Sequence, residues 1–298
     1  MFKFLGKSLI FGLVIFLATF AILKIADLGL KNNRLGSVAQ GIDTDVLILG
    51  ASRAYRHFDT NSLEQLEGKK FFNLGLDASG FKTQKALLEY YLKYNGFPKE
   101  IIWEYNFGFL NKEEDIYDYE LLFPIADEST IYSILKEYKL IPYFIGGVKE
   151  FRYLGNTRLI RKGLSNYFKP KPYLDYKIQN NSWDGSDFYN KYLNGTYRYK
   201  SDVSTLSLNS FLDLVQVLKS NETKVTMVFT PMYSGIFQIE DEKKEILKFY
   251  DSLFEANSID KLDFLESEIS SDTINFYNTL HMNRKGVDSF TEKFSKIY

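Results

Sequence analysis

Four short apolar runs limit what this chain can become. Residues 45–49 (DVLIL) are almost uninterrupted and stop at Gly50. Residues 70–76 (KFFNLGL), 100–106 (EIIWEYN) and 225–230 (VTMVFT) repeat the pattern, the last stopping at Pro231. A strand covered on both faces reads as an unbroken apolar run, whereas a half-solvated strand alternates. Helical stretches at 81–94 and 206–219 lie between these runs. Strands alternating with helices need crossover connections. The expected fold class is therefore α/β, a three-layer α/β/α sandwich around a central parallel sheet. At 298 residues the chain is long enough to bury a substantial core.

The N-terminus obeys a different pattern. Lys3 and Lys7 precede the charge-free residues 8–23 (SLIFGLVIFLATFAIL), followed by Lys24 and Asp27. A spanning helix needs roughly 20 apolar residues, and residues 4–28 reach that length if Lys7 and Lys24 extend their ammonium groups towards the interfaces. A cleaved signal peptide is the first rival, but the small-x-small triplet Ser37-Val38-Ala39 lies far beyond the apolar run. A buried soluble helix is the second, though a surface-packed helix would carry polar residues at helical spacing. We expect a retained single-pass anchor over residues 1–30, a linker at 31–43 and a main domain at 44–298. The domain is expected outside the cytoplasm, although Lys31 and Arg34 weaken the charge asymmetry that sets orientation. Within it, residues 107–204 break the alternation. They are rich in Tyr, Phe, Asn and Lys and hold most of the prolines. That segment reads equally as an insertion shaping a substrate site and as a solvated decoration.

Composition removes several chemistries. Lys and Arg total 37 against 38 Asp and Glu, so no basic footprint for nucleic acid exists. Without cysteine there is no disulfide, thiolate metal site or cysteine nucleophile. The two histidines, His57 and His281, are the only candidates for an imidazole base. Residues 113–118 (EEDIYD) lack calcium-loop spacing, and we expect neither metal nor cofactor. A dinucleotide-binding protein would need Gly-x-Gly-x-x-Gly after the first strand, which is absent.

In open parallel sheets ligands bind beyond the carboxyl ends of the strands. The first run ends in Gly50-Ala51-Ser52-Arg53, placing Ser52 at the first turn of the next helix, where unpaired N–H groups favour an oxyanion. The second ends in Asn73-Leu74-Gly75, where glycine leaves a backbone N–H accessible, and the third at Asn106, whose amide can donate to the same point. Near the C-terminus, Asn278 stands three residues before His281, close enough to orient its imidazole.

At these residues the sequence resembles the SGNH (GDSL-like) hydrolase superfamily. Gly50-Ala51-Ser52 matches the block holding its nucleophilic serine, Gly75 its oxyanion glycine, Asn106 its oxyanion asparagine, and residues 278–281 its Asp-x-x-His block. Gly-x-Ser-Arg together with His-Met-Asn-x-x-Gly looks most like a membrane-anchored branch found in bacterial surface-polysaccharide clusters. That branch is similar to teichoic acid D-alanyl transfer proteins and to alginate and cellulose O-acetylation proteins. The resemblance covers residues 44–106 and 225–298. It implies Ser52 as nucleophile, His281 as base, Asn278 as orienter, and an oxyanion hole from Ser52, Gly75 and Asn106.

The departure is Asn278, where that family has aspartate. An amide can orient an imidazole but brings no charge, and it can also hold the wrong tautomer. Asp263 or Asp272 could supply the carboxylate instead, or the site could be degenerate. Each residue also has a plain structural reading. Ser52 can cap its helix, and His57 reads as a surface or capping residue. Arg53 can pair with a carboxylate or contact substrate. Asn73 and Asn106 can stabilise turns, and Trp103 and Trp183 can be core rather than sugar-stacking groups.

Two functions follow. One is a membrane-anchored serine O-acyltransferase or esterase acting on a surface polysaccharide. The other is a catalytically weak accessory or glycan-binding protein partnering a multi-spanning membrane O-acyltransferase. No nucleic-acid partner is expected.

Overall fold

The computed structural model describes residues 2–112, 116, 119–138, 149–170, 172–194, 202–238 and 242–298. It divides into two compact units, one formed by Met1–Gly41 with Asp118–Tyr173, the other by Ile42–Tyr117 with Leu174–Tyr298.

The second unit holds the sheet. Strand β1 (Val46–Leu49) pairs in parallel with β2 (Phe71–Asn73) on one side and with β3 (Glu100–Glu104) on the other. Strands β4 (Lys224–Phe229) and β5 (Asp260–Asp263) complete a five-stranded parallel sheet of order β2-β1-β3-β4-β5. In doubly wound sheets of this order the chain reverses direction between β1 and β3, which opens a crevice at their carboxyl ends.

The expected α/β architecture is present, with differences at its margins. Strand β5 was not anticipated, because Asp260-Lys261-Leu262-Asp263 is an edge strand with exposed ends and carries no apolar run. Strand β2 closes at Asn73, although Leu74 and Leu76 still donate to Ile48 and Gly50 at 2.8 and 3.1 Å.

Both sheet faces are covered. Taking α-helices in chain order, Val46, Ile48, Ile102 and Val228 pack on Phe58, which follows α3 (Ser52–His57), and on Leu63 of α4 (Thr60–Glu67). Ile269 of α10 (Glu268–Ser271) and Phe290 and Phe294 of α11 (Arg284–Ile297) close that layer. On the opposite face Trp103 sits among Phe81 of α5 (Phe81–Asn95), Phe211 of α8 (Thr205–Ser220) and Phe109. Its indole N–H donates to Gln84 at 2.7 Å, which satisfies the one polar atom of a fully buried ring. Tyr105 packs there against Tyr250 and Phe254 of α9 (Glu242–Ala256). Much of the chain's 17 % aromatic content is thus core.

The first unit contains α1 (Phe2–Lys31), α2 (Arg34–Ser37), α6 (Ser129–Glu137) and α7 (Thr157–Phe168). Residues Phe4–Lys31 form a helix long and apolar enough to cross a membrane, with a mean hydropathy of 2.6. Phe4 and Leu9 are each 74 % exposed, whereas Leu23, Ala26 and Leu30 are buried. Helix α7 meets that buried third at backbone distance. A side chain at Gly163 would lie 2.3 Å from the Ala26 carbonyl, and one at Gly29 would lie 1.9 Å from that of Gly163. Asp27, on the same helix, is fully buried and accepts from Arg152 and from the Tyr153 hydroxyl at 2.6 Å each. Lys31 lies 3.0 Å from its other oxygen.

Residues 31–43, expected as a linker, contain α2 and the 3-10 turn Val38–Gln40, with Leu35 and Val38 buried. The segment 107–204, expected as one insertion, is shared between the units, 118–173 joining the first and 174–204 the second.

Candidate active site

The turn after β1 is built to expose Ser52. Gly50 has φ 143°, and a side chain there would meet the Glu104 Cβ at 2.7 Å and the Ala54 Cβ at 2.8 Å. Only glycine fits that backbone and that gap. The Ala51 N–H donates to Glu104 at 3.2 Å, and α3 begins at Ser52. Leu49 pairs with Trp103, and Ser52 and Asn106 each follow three residues later in the chain, past the carboxyl ends of neighbouring strands.

Ser52 is partly exposed, and its Oγ lies 2.7 Å from Nε2 of His281. His281 Nδ1 lies 3.1 Å from Oδ1 of Asn278. That Oδ1 also accepts the N–H groups of Leu280 and His281 at 3.0 and 2.9 Å. Two main-chain donors fix the amide with its oxygen towards the ring. His281 therefore carries its proton on Nδ1 and turns an Nε2 lone pair to Ser52, the tautomer a serine base requires. The capping role for the Ser52 hydroxyl is not the one adopted, since its partner is His281.

The turn bearing His281 is held from several sides. Phe276 and Met282 form an isolated antiparallel bridge, and Tyr277 N–H donates to the His281 carbonyl at 3.1 Å. Asn283 caps α11 by accepting from Gly286 N–H at 3.1 Å, while its own amide donates to Ile274 and Phe276. The Tyr277 ring stacks on His281 at 5.6 Å and 10°. Arg56 donates to the Tyr277 hydroxyl at 3.1 Å and pairs with Asp77. From residues 174–194, Asp184 N–H donates to the Tyr277 carbonyl at 3.1 Å, and Asp187 accepts from Thr279 at 2.9 Å.

Among the described residues no carboxylate stands against His281. Burial lowers its pKa to about 3, and the cations Arg56, Arg53 and Lys191 push the same way. Asp263 accepts from Leu265 N–H and Asp272 from Ile274 N–H, each at 2.9 Å, so neither orients the ring.

Other expected site residues lie differently. The Gly75 N–H donates to Asn73 Oδ1 at 2.8 Å and so is engaged within its own turn. Glycine is required there because a side chain would reach 2.6 Å from Tyr55 N and 2.7 Å from the Ala54 Cβ on α3. Asn106 Oδ1 accepts from Gly108 N–H at 2.8 Å, which leaves its Nδ2 as the donor end of the amide.

Arg53 does not line the surface. It is 5 % exposed, 2.8 Å from Glu104, bonded to the carbonyls of Tyr105 and Thr230, and 4.3 Å from the Phe229 ring centre. Burial raises the Glu104 pKa while Arg53 opposes the rise, and the same carboxylate, by accepting the Ala51 N–H, ties this pair to the Ser52 turn. Nor is His57 at the surface. It is fully buried, and burial holds its pKa well below the ordinary value. Its sequence signal was its place on the same short helix as Ser52, five residues on. Among the described residues no cluster of His, Asp and Glu is arranged to hold a metal.

No family model matches this sequence, and no curated protein matches it. Among solved structures, it is similar to a protein described as a lipolytic member of the G-D-S-L family from Desulfitobacterium hafniense. That match has 12 % identity and TM-score 0.41, covering 86 % of this chain and 100 % of the other. A protein described as an acylhydrolase from Bacteroides fragilis matches with 11 % identity and TM-score 0.37, covering 85 % of this chain and 86 % of the other. Both superpositions are loose.

Proposed function

We propose that the protein is a membrane-anchored serine acyl-transfer enzyme of SGNH type, an O-acyltransferase or esterase acting outside the cytoplasm on a bacterial surface polysaccharide. The observation that carries the reading is the 2.7 Å approach of Ser52 Oγ to His281 Nε2, with Asn278 fixing the tautomer. Ser52 Oγ attacks the acyl carbonyl as Nε2 takes its proton. The bond to the leaving alcohol breaks, and His281 returns that proton to it. A sugar hydroxyl or water then attacks the acyl-serine, and its proton restores Ser52 through His281. The Ser52 N–H and the Asn106 Nδ2 are the donors for the oxyanion, and Gly75 joins them if Asn73 releases its N–H.

The glycan acceptor is supported by the resemblance to the polysaccharide-modifying branch. Retention of the anchor is supported by the first unit itself, because cleavage after Ala39 would remove Leu23, Ala26, Asp27, Leu30, Leu35 and Val38 from its interior. The uncharged Asn278 and the engaged Gly75 N–H favour a second reading, an accessory glycan-binding protein with little chemistry of its own.

A fluorophosphonate probe separates the two. Covalent labelling of Ser52, abolished in Ser52→Ala and severely reduced in His281→Ala, supports the enzyme. An unlabelled wild type that still binds glycan supports the accessory role.

A further inference from the structure

We propose that His57 is a positioning residue that holds the His281 turn in register with Ser52; its part in catalysis rests on the acyl-transfer reading above. His57 is the last residue of the six-residue helix that Ser52 begins. Its ring reaches two further elements. Nε2 accepts the main-chain N–H of Met282, the residue after His281, at 3.0 Å. Nδ1 lies 2.8 Å from Oγ1 of Thr230, immediately beyond β4. One imidazole thus joins the nucleophile helix, a strand end and the base-bearing turn.

The ring is committed to one state. The Met282 N–H can only donate, so Nε2 must present a lone pair, and the remaining proton sits on Nδ1 and goes to Thr230. An imidazolium would set N–H against N–H in a fully buried site, beside Arg53, Arg56 and the His281 ring 6.0 Å away. The Thr230 carbonyl accepts from Arg53, so the same strand end also fixes the residue following Ser52. Displacing reacting groups by about 1 Å can cost about 10²-fold in rate, and the Met282 bond lies one residue from the base.

The test exploits the shapes of two amides. His57→Gln sets an amide oxygen near the place of Nε2 and keeps the acceptor for Met282. His57→Asn sets its amide near Nδ1, keeps a donor for Thr230 and leaves Met282 N–H unpaired. Full-length protein in detergent is labelled with fluorophosphonate and assayed on an activated acyl ester. Deuterium exchange at the Met282 amide is followed in the same samples, and melting temperature controls for folding. We expect His57→Asn to lose about 10²-fold in kcat with little change in KM, and its Met282 amide to exchange at least about tenfold faster. His57→Gln should recover most of both.

Equal kcat and equal Met282 exchange in His57→Asn and wild type would overturn the proposal, as would a His57→Gln variant as impaired as His57→Asn. If His57→Asn does not fold, Thr230→Val serves, since it keeps the shape and takes from the Nδ1–H the acceptor that anchors the ring against the strand end. Faster Met282 exchange with a lower kcat at unchanged KM in that variant supports the proposal, and unchanged exchange together with unchanged kcat overturns it. A wild type that neither labels nor turns over refutes the acyl-transfer reading. The Met282 exchange rates then decide alone whether His57 holds the turn.

Discussion

Asn278 Oδ1 stands 3.1 Å from His281 Nδ1 while accepting two main-chain N–H groups of its own turn. The orienter is therefore geometrically complete and lacks only charge. Asn278→Asp should keep the same acceptor, stabilise the imidazolium and raise kcat on an activated ester. The reverse change in a trypsin-type triad costs about 10⁴-fold, which bounds the gain. Unchanged kcat in a correctly folded variant would show that the charge is not limiting here.

Acid should destabilise the fold in a defined window. His281 is held at about 3, below its ordinary 6.5, and His57 also lies well below 6.5. Between those values the unfolded chain binds more protons than the native one, so stability rises with pH across the window and levels off above it. Each histidine contributes a slope of up to about 1.4 kcal/mol per pH unit. Denaturant midpoints measured from pH 4 to pH 8 should show this, with a shallower slope in His281→Gln. Because Nε2 stays unprotonated, kcat/KM should show no histidine limb near 6.5. A limb there would mean that His281 is more solvated in solution than in this structure.

The buried Arg53–Glu104 pair should be costly to break from either side. Arg53→Met leaves Glu104 without its cation and frees the carbonyls of Tyr105 and Thr230. Removing one member of a buried pair costs about 3–5 kcal/mol. Urea unfolding should register that loss. A cost below about 1 kcal/mol would place the pair among surface-type contacts.

Asp27 makes a parallel case in the first unit, paired with Arg152, Tyr153 and Lys31. Asp27→Ala should destabilise that unit by a similar amount and expose residues 119–170 to limited proteolysis, with Ser52 labelling retained. Carbonate-washed membranes should hold the full-length wild-type chain. A soluble form beginning near Gln40 would show cleavage instead.

What the sequence disclosed follows from how the signals arise. Central parallel strands are covered on both faces, so β1, β3 and β4 had to be apolar runs, and the residues just beyond β1 and β3 marked the site. Edge strand β5 has ends open to water and no such constraint. The Ser52–His281–Asn278 arrangement was legible because each member sits at a backbone feature with its own signature: Gly50 before the serine, the three-residue turn before the histidine, and Asn283 with Gly286 opening α11. Arg53 and His57 were not, because a polar side chain on a short helix looks the same in one dimension whether it faces solvent or the sheet. Only the three-dimensional placement of Glu104, Thr230 and Met282 distinguishes the two cases. The division of residues 107–204 was hidden for a similar reason: neither Asp27 nor Gly163 announces its distant neighbour.

The six-residue helix from Ser52 to His57 carries the Ser52 hydroxyl at one end and, at the other, the imidazole that accepts the Met282 N–H of the His281 turn. Through His57 a displacement of either end of this helix is coupled to the His281 turn by a single 3.0 Å bond. One short helix is thus a common mount for the two side chains, much as two instruments bolted to one bench share a single frame.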